Sequence, residues 1–186
     1  MTERSYHHGD LHRAVLDAAL DVIGTDGPAA ISMRDLARRA GVSHAAPAHH
    51  FGDKSGLLTA IAVDGFSLLA EYLTKAVGRP DELRELGVAY VRFAIDHPAH
   101  FEVMFRRDLC HDDAPELVAA RERTAGLLRG GVDTVATGDD SRPAVLAAWS
   151  LAHGFATLWQ GGSIERDADP AESFRAVSRH LFTRPD

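Results

Sequence analysis

The sequence predicts an all-α protein in which three short helices form a head and a long helix leads from it into a helical-bundle body. Three observations predict this. Apolar residues recur at helical spacing through nearly the whole chain. No run of alternating Val, Ile, Thr and aromatic residues lies between hairpin turns. The breaks fall at Gly and Pro, as at Thr25-Asp26-Gly27-Pro28 and His97-Pro98.

The first helix is predicted from about Gly9-Asp10, burying Leu11, Val15, Ala18 and Val22 on one face and ending where Gly27 can take a left-handed cap. Ser32 then caps a second helix, with Asp35 three residues on, where a capping-box acid belongs. Met33, Leu36, Ala37 and Ala40 form its apolar face, and Gly41 stops it. A third helix follows almost at once, capped by Ser43 and closed by Phe51-Gly52. Asp53 caps a long fourth helix through Leu57, Leu58, Ile61, Phe66, Leu69 and Leu73, fading near Gly78-Arg79-Pro80. The body continues with helices over about 81–96, 99–107, 115–134 and 143–160. The residues 137–141 read as a loop, and a last helix opens with Asp169-Pro170-Ala171-Glu172.

Composition narrows the function classes. The chain has 186 residues, 45% hydrophobic and 25% charged, which suits a globular protein with a real core. No run of about 18 apolar residues is found, so no membrane span is expected, and the polar N-terminus does not read as a secretory signal. The single cysteine, Cys110, forbids an internal disulfide and fits a reducing cytoplasm. Net charge is −7, but residues 1–55 are near neutral and the acidity lies in the rest. Six of the eleven histidines fall in those first 55 residues, where partial protonation would add positive charge.

The constellation that carries function is the pair of short helices joined by Gly41-Val42. A tight Gly-containing turn between two short helices is a helix-turn-helix signature. In that motif one helix crosses the DNA backbone and the next enters the major groove. Val42, Ala46 and Phe51 suit the apolar side of the third helix; Ser43, His44, Ala45, Ala48, His49 and His50 suit the exposed side. Ser43 and His44 can hydrogen-bond base edges or phosphates, and alanine can touch a thymine methyl. This divides the chain into a homeodomain-like helix-turn-helix DNA-binding domain, 1–52, and a ligand-binding and dimerisation domain, 53–186.

The run Asp35-Leu36-Ala37-Arg38-Arg39-Ala40-Gly41-Val42-Ser43, followed by His49-His50-Phe51-Gly52-Asp53-Lys54-Ser55-Gly56-Leu57-Leu58, resembles the N-terminal domain of the TetR family of transcriptional regulators. The resemblance implies an all-helical cytoplasmic homodimer and a double-stranded DNA operator as partner. It also implies a small-molecule effector of unknown identity; no nucleophile elbow, phosphate loop or metal motif supports an enzyme, and no cofactor is expected. It carries DNA contact onto Ser32, Arg34, Ser43, His44, His49 and Lys54. Lys54 also fits physically, as a cation beside the free N–H groups of a helix start. The segment Trp149-Ser150-Leu151-Ala152-His153-Gly154, with His97 to Phe105, is similar to a TetR C-terminal subfamily marked by Trp-x-x-x-His-Gly. That implies a dimer face from the last two helices, for which the candidates are Leu151, Phe155, Leu158, Phe174, Val177 and Leu181. Phe66, Leu69, Tyr90, Phe93, Phe101, Met104, Phe105, Trp149 and His153 are the candidates for an effector pocket, since such cavities are largely apolar with few polar anchors.

Two positions depart from the family pattern. Pro47 stands where Leu is common; it removes an early backbone bond and disfavours helical geometry at Ala46, so a late or distorted helix is expected. Ala48 stands where an aromatic that supports a phosphate contact is common. The phosphate grip is therefore expected from Arg34, Lys54 and Arg4, the last on an N-terminal Tyr6-His7-His8-Gly9 arm that could reach a minor groove. A helical protein-interaction module with a degenerate DNA-binding head is the alternative reading. His97, His100 and His111 do not make a metal set, because Pro98 breaks their spacing and no carboxylate or cysteine completes it.

Overall fold

The computed structural model describes residues 8–135, 141–166 and 168–181. Tyr6, His7 and Arg4 of the expected arm lie outside them, as does most of the 137–141 loop. Among the described residues every regular element is helical: α1 (His8–Asp26), a 3-10 turn (Pro28–Ala30), α2 (Met33–Arg39), α3 (Ala46–Phe51), α4 (Lys54–Thr74), α5 (Glu82–Asp96), α6 (Pro98–Met104), α7 (Pro115–Asp133), α8 (Ser141–Gln160) and α9 (Pro170–Leu181).

The chain forms two compact units. Among the described residues, the first takes those within 1–65 and 99–118, and the second those within 66–98 and 119–186. In the first, α1 packs on the 3-10 turn, α2 and α3. Its buried α1 face is Val15, Leu16, Ala19, Val22 and Ile23. That corrects the expected set: Leu11 and Ala18 are only half-buried. The true stripe is turned by one residue and runs back to His12, because the 3-10 turn and α3 cover that side. The 3-10 turn itself was not expected; Pro28 starts it and is buried.

α4 is 21 residues long, with a most apolar 18-residue window of mean hydropathy 1.4, enough by length and composition to cross a membrane. It is not an uninterrupted apolar run, since Asp64 and Glu71 fall within it. Its apolar side chains line cores instead: Leu57, Leu58 and Ile61 in the first unit, Phe66, Leu69 and Leu73 in the second. α6 stops at Met104, short of the expected 107. There the chain enters local turns, closed by Arg106 N–H to the Val103 carbonyl at 2.9 Å and Leu109 N–H to the Arg106 carbonyl at 3.0 Å, with Arg106 paired to Asp108 and Arg107 to Asp112 on the surface. α8 begins at Ser141, so Pro143 lies in its first turn, where a missing N–H costs no helical bond.

In the second unit α5 packs on α8 and α9, which also meet each other. The α5–α9 contact is close because Gly87 has no side chain: a Cβ there would lie 2.4 Å from the Phe174 ring, which is 2% exposed. A forked ion pair, Glu85 to Arg175 at 2.9 and 3.0 Å, fastens the same two helices beside it. The Arg175 guanidinium holds the Glu85 carboxyl below the usual carboxylate range. Asp169 caps α9, accepting from the N–H groups of Ala171 at 2.9 Å and Glu172 at 3.2 Å.

Gly87→Ala is expected to destabilise the fold by about 1–3 kcal/mol, because a buried aromatic ring cannot yield as a flexible chain end can. A urea titration of the two proteins measures it. An unchanged midpoint would show that α9 is free to shift.

Candidate nucleic-acid interface

The α2–α3 joint follows from one glycine. Gly41 has φ +67°, the left-handed region that a side chain disfavours. With that turn, Val42 N–H reaches the Ala37 carbonyl at 3.0 Å and Gly41 N–H reaches that of Arg38 at 3.3 Å. These two bonds form a Schellman closure, which satisfies the last carbonyls of α2. Ser32 caps the other end of α2, its hydroxyl accepting from Asp35 N–H at 3.5 Å. Asp35 does not complete a capping box. Its carboxylate takes Arg39 at 2.6 Å and Arg38 at 2.7 Å, which lowers its pKa.

The reading helix starts later than the expected Ser43 cap. α3 begins at Ala46, and the residue at its cap position is Ala45, which makes no side-chain cap bond. Pro47 is the physical reason. It fits only the first turn of a helix, so the helix starts where Pro47 becomes its second residue. Ser43 to Ala45 form a turn instead, closed by Ala46 N–H to the Ser43 carbonyl at 3.0 Å. Pro47 is the buried residue of α3, whereas Val42, Ala46 and Phe51 are half-buried.

This geometry leaves Ser32 and Arg34 exposed at the start of α2, Ser43, His44 and Ala45 exposed in the turn, and Ala48 and His49 exposed on α3. His50 differs from the expectation of an outward side chain. It is half-buried, its ring 6.4 Å from His12 and 5.7 Å from His49. His12 lies against Phe51 at 4.7 Å, so an α1 side chain supports the end of the reading helix. Sequence reasoning missed His12. Its signal was present, since His12 continues the Val15, Leu16, Ala19, Ile23 stripe one turn earlier.

α3 is then folded onto α4. Gly52 turns with φ +76°, and a Cβ on Gly56 would stand 1.9 Å from the Phe51 carbonyl oxygen. Asp53 caps α4, accepting from Gly56 N–H at 2.7 Å, and this bond chiefly lowers its pKa. His111 Nε2 lies 3.1 Å from the same oxygen, and His111 N–H donates to the buried Thr59 hydroxyl at 2.9 Å. Lys54 donates one N–H to the Ala29 carbonyl at 2.9 Å. An ammonium has three donors, so two remain for an anion.

The histidines of the body take separate partners. His97 lies 3.4 Å from the Tyr72 hydroxyl, and buried His100 lies 3.1 Å from Asp64. The nine candidate pocket residues divide between the units. Phe101, Met104 and Phe105 belong to the first, and Phe66, Leu69, Tyr90, Phe93, Trp149 and His153 to the second. Three of the latter form a chain of hydrogen bonds. Burial pushes the Tyr90 phenol far up, while a hydrogen bond with Trp149 opposes this. The hydroxyl lies 2.9 Å from His153 Nδ1, within hydrogen-bond distance. Burial lowers the His153 pKa, so the neutral imidazole is favoured there. Of the candidate dimer residues, Phe155 and Phe174 are buried against each other at 5.4 Å, inside one chain. Leu151 is half-buried, Leu158 and Val177 are exposed, and Leu181 ends α9.

Comparison with known proteins covers both segments. Residues 15–61 match the family described as "Bacterial regulatory proteins, tetR family", and residues 83–181 match "Tetracyclin repressor-like, C-terminal domain". The transcriptional regulator BetI of Rhizobium meliloti (strain 1021) is 38% identical over 108 residues, 58% of this chain and 47% of that protein. The match thus spans about half the length of that curated relative. A structure of a Rhodococcus sp. RHA1 protein of unknown function is 36% identical with TM-score 0.80, covering 96% of this chain and 97% of that one. The regulator PfmR from Thermus thermophilus has TM-score 0.71 at 24% identity, covering 91% and 99%, and supports the fold.

Gly56→Ala is expected to cost about 3 kcal/mol, since backbone rather than a side-chain end opposes the new methyl. Thermal melting checks this; a loss under about 0.5 kcal/mol would mean the α3–α4 joint gives way easily. For His153, the folded pKa is depressed below 6.5, so below about pH 7 the unfolded chain takes up that proton first. Stability is therefore expected to fall as pH drops from about 7.5 to about 5.5, and less steeply in His153→Gln. An equal loss of stability between the two pH values in the native chain and His153→Gln, measured by urea titration at each pH, would contradict it.

Proposed function

The chain belongs to the TetR family of bacterial regulatory proteins, as a helix-turn-helix transcriptional regulator, and from that premise we propose that it is a homodimeric repressor of a pseudo-palindromic operator, released when a small molecule occupies its body. The single observation that carries the DNA contact is the exposure of Ser32, Arg34, Ser43, His44, Ala45, Ala48 and His49 on consecutive parts of the helix-turn-helix. Ser43 and His44, in the turn before α3, are the base-reading pair. Ala45 and Ala48 present methyls to thymine, and His49 and Arg34 reach the backbone. Lys54 holds a phosphate beside the first N–H groups of α4. His50, half-buried beside His12, supports the helix rather than reading a base.

Function divides the chain at residue 52: a DNA-binding head over 1–52, and an effector-binding and dimerising body over 53–186. In the body, α8 and α9 carry the exposed Leu158 and Val177 toward a second copy. Tyr90, Trp149 and His153 are the polar anchors available to an effector. The protein acts in the cytoplasm, where its DNA is, and needs no cofactor.

A dimer with heads in successive major grooves predicts half-sites about 34 Å apart. Selection from random duplexes followed by gel shift tests the reading; no sequence preference at moderate salt would sink it and favour a protein-interaction module. On the selected operator, His44→Ala is expected to relax base preference at one or two positions. Lys54→Ala is expected to weaken all sequences about equally and to reduce the salt slope by about 1.

A further inference from the structure

Ser43 has the residue type and the place of a helix cap, yet it caps nothing. The cap position of α3 falls to Ala45, which makes no side-chain bond, and Ser43 stands exposed in the turn before it. Pro47 accounts for this. A helix capped by Ser43 would take its first backbone bond from the N–H of residue 47 to the Ser43 carbonyl. Proline has no N–H to give. The Ser43 carbonyl is taken instead by Ala46 N–H at 3.0 Å, the tighter closure of a 3-10 turn. The first bond of α-helical span then runs from His49 N–H to the Ala45 carbonyl, at 3.0 Å.

Two further facts fix the consequence. Pro47 is buried, so it is anchored in the core of the head and its effect on the turn is permanent. Ala45, at φ −84° and ψ −19°, already lies in the right-handed helical region. The chain therefore arrives in the direction of α3, and what Pro47 removes is the bonding of a cap. A capping hydroxyl gives an acceptor lone pair to a backbone N–H of the first turn. A hydroxyl outside the cap keeps its donor and both lone pairs for a base edge.

We infer that Pro47 is a positioning residue for operator recognition: it holds Ser43 out of the helix cap, so that the Ser43 hydroxyl and the exposed His44 beside it meet base edges from a turn. Pro47 itself touches no base and acts through Ser43. The inference rests on the DNA-binding reading above and adds the residue that selects what the head reads.

The test combines operator selection from random duplexes with thermal melting, on the full chain. The proteins are the native chain, Ser43→Ala, Pro47→Leu and the double variant. Pro47→Ala serves beside Pro47→Leu in case the larger side chain does not fit the buried position. In the native chain Ser43→Ala is expected to leave the melting temperature unchanged, because no cap is lost. It is expected to lower the preference for the selected base by about 10-fold at one or two operator positions. Either Pro47 variant restores the N–H and with it the Ser43 cap. Adding Ser43→Ala to it is then expected to lower melting by about 3 °C. The Pro47 variants are also expected to select a different base at the positions that Ser43→Ala affects. A Pro47 variant that keeps the native base preference, even at weaker overall affinity, would overturn the inference. So would a loss of about 3 °C for Ser43→Ala in the native chain, which needs no change at Pro47. A native chain without any sequence preference would remove the DNA-binding reading as well.

Discussion

The backbone of the reading helix meets the first turn of α4 at a distance that only glycine permits. The Phe51 carbonyl occupies the place where a Gly56 side chain would be. Around this contact the first unit is tied together. Asp53 caps α4 through Gly56, His111 reaches Asp53, Thr59 accepts from the backbone of His111, and Lys54 reaches back to Ala29. The orientation of α3 is thus set by α4 and by the segment after α6 as much as by the helix-turn-helix itself. α3 has six residues, too few to be stable alone in water. Its position is a tertiary result.

Charge in the head is arranged with restraint. Asp35 neutralises much of the field of Arg38 and Arg39, although all three are largely solvated and such pairs are weak. Arg34 is exposed, and Lys54 spends one of its three N–H donors on the Ala29 carbonyl. The outward groups of the turn are a hydroxyl, an imidazole and a methyl. A surface of this kind discriminates by hydrogen-bond pattern more than by attraction, and it suits a protein whose net charge of −7 opposes indiscriminate binding to nucleic acid.

In the second unit α5 plays the organising part. On one side Gly87 and Glu85 receive Phe174 and Arg175 of α9. On another, Tyr90 and the Ala94 carbonyl fix α8 through His153 and Gln160, the latter at 2.6 Å. Phe155 and Phe174, apolar residues on the two helices of the expected dimer face, turn inward and join the core. The outward apolar residues are others, Leu146 and Trp149 among them. An apolar helix buried on one side and apolar on the other gives no periodic signal to tell the two sides apart.

The all-α class, most helix boundaries and the helix-turn-helix were legible in the sequence. They depend on local causes: apolar spacing, a cap at Asp53 or Asp169, and a left-handed glycine at 41. Pro47 also announced a disturbed reading helix from sequence alone, because its missing N–H acts within one turn. What sequence could not decide was which face of an element looks inward. The turn of the α1 stripe toward His12, the inward His50, the burial of Phe155 and the pairing of Tyr90 with His153 are set by contacts between residues far apart in the chain. Such contacts depend on which helix arrives opposite. Local propensity has no term for that, and only the packed structure decides it.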